Sequence, residues 1–165
     1  MTEQPQLDDI DRRILSELQN DGRIRNNELA DRVGLSPPAC RRRVQALRER
    51  GAVKTIRASL DEKLLGYEVT TFVTIQLQSQ SQATVQAFER AIAAMPLVQQ
   101  CWELSGEADF LLKCVALNVD GMRQQLRQFS ALPAVRNIRS LPVLGVAKDE
   151  PLPIPGIPAV SSPVE

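Results

Sequence analysis

Apolar residues recur at helical spacing through the first third of the chain and at strand spacing later, so the two parts differ in texture from the start. Leu7, Ile10, Ile14, Leu15 and Leu18 fall on one stripe of a helix from Leu7 to about Asn20. Asp8 stands at its N-cap, Asp9 and Asp11 sit where the helix dipole favours carboxylates, and Asp21-Gly22 ends it, Gly22 being expected at positive φ. A second helix of barely two turns spans Asn27 to Val33, with Asn26 as cap, Leu29, Ala30 and Val33 inward, and Gly34 closing it. Ser36-Pro37 opens a third, a hydroxyl cap followed by proline at the first helical position. Along that helix Cys40, Val44 and Leu47 form the apolar stripe, and Pro38, Arg41, Arg42 and Gln45 project to the other side. Gly51 stops it, and Ala52 to Leu60 reads as extended chain fit for a small β wing.

Beyond Gly66 the period drops to two. Val69, Thr71, Val73, Ile75 and Leu77 alternate with Thr70, Phe72, Thr74 and Gln76, which predicts a strand. Val85, Phe88, Ile92 and Met95 then mark a helix within Ser81 to Met95, closed by Pro96. Leu97 to Leu104 alternates again, with Val98, Trp102 and Leu104 on one face and Gln99, Cys101 and Glu103 on the other. After Ser105-Gly106-Glu107, the run Asp109 to Leu117 is almost continuously apolar and predicts a second hairpin strand buried on both faces. Met122, Leu126, Phe129 and Leu132 give another helix, ended by Pro133, and a last strand follows from Val135 to about Ala147. The order βαββαβ is the split ferredoxin-like unit, with both helices on one face of an antiparallel sheet. Pro142 fits there only if the last strand lies at an edge. The fold class expected is α+β, with a helix-turn-helix domain at 7–60, a linker at 61–67, the sheet domain at 68–148 and a Pro-rich tail at 149–165. That tail carries Pro151, Pro153, Pro155, Pro158 and Pro163 and is expected to be extended or disordered, with no derivable function.

Composition narrows the chemistry. The 165 residues hold no histidine, which removes the commonest general base and zinc ligand, so His-dependent nucleophile and metal sites cannot be built. Cys40, Cys101 and Cys114 are far apart and odd in number, as expected of small buried hydrophobes in a reducing compartment. Met1 to Leu7 shows no secretory pattern and no run approaches a membrane span, which points to a cytoplasmic protein away from membranes.

Charge is distributed unevenly beneath a net value of zero. Residues 1–60 carry twelve Lys and Arg against nine Asp and Glu, and the remainder carry eight against eleven. Between Cys40 and Leu60, Arg41, Arg42, Arg43, Arg48, Arg50, Lys54 and Arg57 face the single acid Glu49. A local basic face beside a capped third helix suits duplex DNA, with that helix presented to the major groove. Arginine can fork onto guanine or phosphate. Phosphate neutralisation is expected from Arg43, Arg48, Lys54 and Arg57, and sequence choice from Pro38, Arg41, Arg42 and Gln45, with Asn26 and Ser36 completing the motif.

The segments LDDIDRRILSELQNDGRI (Leu7 to Ile24), ELADRVGLSPPACRRRV (Glu28 to Val44), LGY (Leu65 to Tyr67) and SGEADFLLK (Ser105 to Lys113) resemble the leucine-responsive/asparagine-responsive (Lrp/AsnC) family of transcription regulators. The resemblance reaches about residue 150. It implies a winged helix-turn-helix domain and a C-terminal RAM-type domain that dimerises, often assembles into tetramers or octamers, and takes a small amino acid between dimers. Asn26 to Gln45 matches the helix-turn-helix, with Ser36 through Gln45 as recognition helix. Gly106, Glu107 and Asp109 match a Gly-x-x-Asp turn near the effector pocket, so that Ser105, Gly106, Glu107, Asp109, Leu132 and Val135 are the expected ligand contacts. In that picture Asp109 accepts an α-ammonium and the backbone around Gly106 holds a carboxylate, although such a glycine and aspartate also suit a plain tight turn. Arg25 departs from the family's small hydroxyl cap, leaving Asn26 to take over, and Leu141-Pro142 departs from its aromatic and β-branched pair.

The function expected is therefore sequence-specific, effector-controlled DNA binding without catalysis, cofactor or metal, the partners being double-stranded DNA, further copies of the chain and an amino acid. The alternatives are a DNA-compacting architectural protein and an enzyme like the sirohaem decarboxylases, which share this arrangement but lean on histidine.

Overall fold

The computed structural model describes residues 7–158. The N-terminal leader reading at 1–6 and the tail from 159 onward, Pro163 included, lie outside the described residues. The described chain divides into two compact units, one of residues 7–59 and 148–158 and the other of residues 60–147. Residues 61–67, expected as a linker, thus belong to the second unit, where the Lys113 ammonium meets Glu62 at 3.5 Å. Residues 148–158 belong to the first.

In the first unit, α1 (Asp9–Asn20), α2 (Asn26–Val33) and α3 (Pro37–Glu49) enclose Ile14, Leu29, Ala30, Val33, Cys40 and Leu47. Asp8 caps α1 by accepting the Asp11 N–H at 2.7 Å. The Gly34 backbone at φ 73° closes α2, and the Leu35 N–H returns to the Ala30 carbonyl, so the turn into α3 is tight. Two details differ from expectation. Gly22 does not take a positive φ; it is needed for space, since a Cβ there would lie 2.7 Å from Ile56 Cγ2. Nor does the segment after α3 form a strand; its Ile56 lies against Gly22, just past the end of α1.

One polar contact governs how α3 lies on α1. Asp11 is only 6% exposed, and a carboxylate so placed needs a cation and hydrogen bonds. Arg43 supplies both, its Nη1 lying 2.8 Å from Asp11 Oδ1 and 2.7 Å from Asp8 Oδ2, with Arg50 at 3.9 Å from Asp11.

The second unit is a four-stranded antiparallel sheet of order β2-β3-β1-β4, formed by β1 (Val69–Leu77), β2 (Val98–Glu103), β3 (Phe110–Ala116) and β4 (Val135–Pro142). Helices α4 (Gln82–Ala93) and α5 (Val119–Ser130) cover one face. Val73, Ile75, Leu77, Phe110, Leu112 and Cys114 meet Phe88, Ile92 and Phe129 there. Ser81 and Asn118 cap the two helices by accepting from Thr84 N–H and Gly121 N–H. Pro142 ends β4 at an edge of the sheet, so the strand is shorter than the expected run to Ala147.

Strand β2 corrects the expected alternation. A register shift between Val98 and Gln100 places Val98 opposite Cys114, yet Cys101 opposite Leu112 and Trp102 opposite Leu111. Residues opposite one another in an antiparallel pair share a face. The bulge therefore turns Cys101 and Glu103 toward the helices and puts Trp102, 40% exposed, on the uncovered face. Leu111 and Lys113 on that face are only half-buried, so β3 is not buried on both sides along its length as the apolar run suggests. Cys101 is correspondingly exposed rather than a core hydrophobe.

The Arg43 clamp yields a stability test. Removing Arg43 leaves Asp11 buried with weaker compensation; because Arg43 is itself 36% exposed, solvent screening reduces the expected loss for Arg43→Ala to about 1–3 kcal/mol, read by urea unfolding. The Asp11 N–H first, and Arg43 second, hold the Asp8 carboxyl below its ordinary 3.8. A lowered carboxyl pKa stabilises above the unfolded value and is lost as pH falls through the folded one. The difference in melting temperature between the wild type and Asp8→Asn, present at pH 6, should accordingly shrink below about pH 4.

Candidate nucleic-acid interface and effector turn

Ser36 begins α3 with extended backbone and Pro37 at the first helical position, although no hydroxyl bond from Ser36 caps it. The helix is held instead by Asn26, whose Nδ2 donates to the Pro37 carbonyl oxygen at 2.9 Å. This corrects the reading of Asn26 as a cap. It is the first residue of α2, its predecessor Arg25 occupies the cap position without a side-chain bond, and the amide fixes the angle between α2 and α3. Around α3 the buried stripe of Cys40 and Leu47 leaves Pro38, Arg41, Arg42, Gln45 and Arg48 exposed. The Gln45 amide donates to Glu49 at 2.9 Å along the helix. Arg41, Gln45 and Arg48 rim a groove of about 320 Å³ whose floor includes Leu18, Gly22, Ile24, Leu29 and Val44. Lys54 and Arg57 lie exposed on the segment that follows.

Arg43 does not join this face, and its expected phosphate contact is corrected. Its guanidinium is engaged by Asp8 and Asp11, which raises its pKa and leaves it a positioning role. A comparable fastening joins α1 to α2: Arg32 bonds Glu17 and Glu28 at 2.7 and 2.6 Å, and Arg13 donates to the Arg32 carbonyl.

The second constellation is the turn between β2 and β3. Leu104 N–H donates to the Asp109 carbonyl, closing a loop in which Ser105, Gly106 and Glu107 are exposed and Gly106 adopts φ 145°, a conformation that favours glycine. Asp109 binds within the chain: Oδ2 accepts the Leu77 N–H at 2.7 Å and Oδ1 accepts the Gln80 amide at 2.9 Å. In the protomer it is the anchor of the turn rather than an open acceptor. Gln76 adds a bond to the Glu107 carbonyl at 2.6 Å. Gln76 and Gln80 were missed as members of this site; the polar run from Gln78 to Gln82, with Gln76 just before it, was the available signal. Val135 is buried in the core, and Leu132, half-buried, packs against it.

The thiols are quiet. Burial foremost, and the nearby Cys101, push Cys114 up to about 12, and cover over its sulfur together with Glu89 raises Cys101. Among the described residues no group of three His, Cys, Asp or Glu is placed to hold a metal, and no helix is long and apolar enough to cross a membrane.

Comparison with known proteins brings these features together. Residues 7–54 match a winged helix-turn-helix DNA-binding family and residues 70–153 match the Lrp/AsnC ligand binding domain. The chain is 43% identical over 145 residues to a leucine-responsive regulatory protein of Rhizobium meliloti, covering 87% of this chain and 93% of that one. It is 40% identical to the transcriptional regulator AzlB of Bacillus subtilis over 71% of this chain and 74% of the relative. Among solved structures, a transcriptional regulator from Neisseria meningitidis in complex with L-Met superposes with a TM-score of 0.82 at 28% identity, over 93% of this chain and 97% of the other. A feast or famine regulatory protein from M. tuberculosis complexed with L-methionine gives 0.81 at 30%, over 91% and 100%. With relatives that are regulators and are matched over most of their length, and with matches to a helix-turn-helix DNA-binding family and to the Lrp/AsnC ligand binding domain, this chain belongs to the Lrp/AsnC family and is a DNA-binding transcriptional regulator, not an enzyme.

Proposed function

We propose that α3 enters the major groove with Pro38, Arg41, Arg42 and Gln45 at base edges, while Arg48, Lys54 and Arg57 neutralise phosphates beside it. The observation that carries this reading is the exposure of Pro38, Arg41, Arg42, Gln45 and Arg48 on α3 away from its buried stripe and of Lys54 and Arg57 on the segment after it, with none of the five cations in an ion pair among the described residues. Ser36, exposed at the start of the helix, is suited to a phosphate contact because its hydroxyl makes no cap bond. Three free thiols with no disulfide support work in the cytoplasm, beside the DNA.

Two recognition helices require a dimer, and the uncovered sheet face is suited to form it. Phe72, Leu111, Trp102 and Leu141 lie there, Leu141 being 49% exposed, in a face that lacks covering helices. Further assembly would bring the Ser105–Glu107 turns of neighbouring dimers within reach of one amino-acid effector. In that site the backbone at Gly106 takes the carboxylate, Glu107 is the exposed acceptor for the ammonium, and Asp109 holds the turn in shape. The two related structures holding L-methionine support an amino acid as the ligand class.

Arg42→Ala should weaken binding to a selected operator by about 10-fold or more and lower the salt slope by about one in gel-shift titrations, as loss of one such contact does; unchanged affinity and slope would remove Arg42 from the interface. Trp102→Glu should convert the dimer to monomer in sedimentation and reduce operator binding with it, whereas a persisting dimer would move the interface elsewhere. In a thermal-shift screen of the twenty amino acids, the effector should stabilise the chain by about 2.7 kcal/mol at a hundred times its Kd. Glu107→Gln should diminish that gain without altering the ligand-free melt. Asp109→Asn should instead lower the ligand-free melt, through weakened bonds to Leu77 and Gln80.

A further inference from the structure

The inner stripe of α1 enters the core, and its opposite stripe of Arg12, Ser16 and Gln19 would be plain solvent face in an isolated three-helix domain. The chain after β4 covers it. Gln19 Nε2 donates to the Leu152 carbonyl at 3.0 Å, and Gly156 lies against Arg12, where an added Cβ would meet its Cδ at 3.9 Å. Ile154 and Ile157 are half-buried although they belong to no helix or strand, and the Ile157 N–H closes a turn onto the Ile154 carbonyl at 3.0 Å. Between tail and helix runs a groove of about 570 Å³ lined by Ser16, Gln19 and Asn20 on one side and by Leu152, Ile154 and Ile157 on the other. Pro151, Pro153, Pro155 and Pro158 stiffen this segment before it docks, so ordering it costs little further entropy. The match to the ligand-binding family ends at residue 153, short of Ile154 to Pro158.

We propose that residues 148–158 are an internal docking partner of α1 and act as a second tether on the DNA-binding unit. The chain passes from one unit to the other once near residue 60 and again near residue 147, so with the tail docked the unit is attached twice. A body held by one strand swivels about it; a second attachment removes most of those orientations. Because the tail is covalently joined, its effective concentration is on the order of 1 mM, and a contact with an intrinsic Kd of about 0.1 mM is formed about nine-tenths of the time. The consequence rests on the regulator reading: in the dimer, tethered units tolerate a narrow range of half-site spacings.

Docking is read by a nitroxide on Leu152→Cys in a Cys101→Ser background, position 152 having an exposed side chain on a carbonyl that Gln19 holds. The label should be slow-moving in the full chain and become freely mobile when Ile157→Asp is added. A mobile label in the full chain, or no response to Ile157→Asp, overturns the docking. Spacing is read with a duplex selected from a random pool, into which about half a helical turn is inserted between half-sites. The full chain should lose at least tenfold in affinity, and both Ile157→Asp and a chain ending at Ala147 should lose less than threefold. Equal losses overturn the tether even where the label is immobilised. If no duplex is selected at all, the regulator reading fails, and the label still decides whether the tail docks.

Discussion

A single buried carboxylate sets the geometry on which DNA recognition depends. Asp11 lies in the first turn of α1, where the helix dipole favours it, and is removed from solvent by α3. A charge in that position has to be paired, and Arg43 pairs it while also reaching Asp8. The pairing is directional in a way that the contacts of Ile14, Cys40 and Leu47 are not, so it selects one rotation of α3 about its axis. Asn26 fixes the other end of the same helix through the Pro37 carbonyl. The exposed arginines can then be aimed because a different arginine is held fast.

The sheet unit divides its labour by face. Helices α4 and α5 bury one side around Phe88 and Phe129, which gives the unit its core. The other side keeps half-buried apolar residues, a state suited to association with a second surface. The bulge in β2 is what delivers Trp102 to that side, and it does so by displacing Cys101 and Glu103 to the helical one. At the end of the same hairpin Asp109 joins β1, the β2–β3 turn and Gln80, so the exposed Ser105–Glu107 loop stands on a rigid base.

These arrangements explain why arginines of one helix differ in role. Pro38, Arg41, Arg42 and Gln45 cluster on the outer side of α3, whereas at 100° per residue Arg43 lies about 140° around from Pro38, beside the buried stripe. Helical geometry alone thus points Arg43 inward, but its partners Asp8 and Asp11 stand more than thirty residues away in sequence. The same distance in sequence separates Asp109 from Leu77, which is why its carboxylate could be read as open to a ligand.

Periodicity, caps and prolines by themselves determined the three helices, the βαββαβ order, the edge position of β4 and the outward face of α3, because each of these is encoded by residues within a turn or a strand of one another. The family motifs, also local, identified the kind of regulator. Tertiary structure alone decided that Arg43 and Asn26 position α3, that Trp102 faces away from α4 and α5, that Val135 is core, and that the tail lies on α1. Each of those outcomes rests on a partner distant in the chain or on a one-residue shift of register, and neither leaves a periodic trace in the sequence.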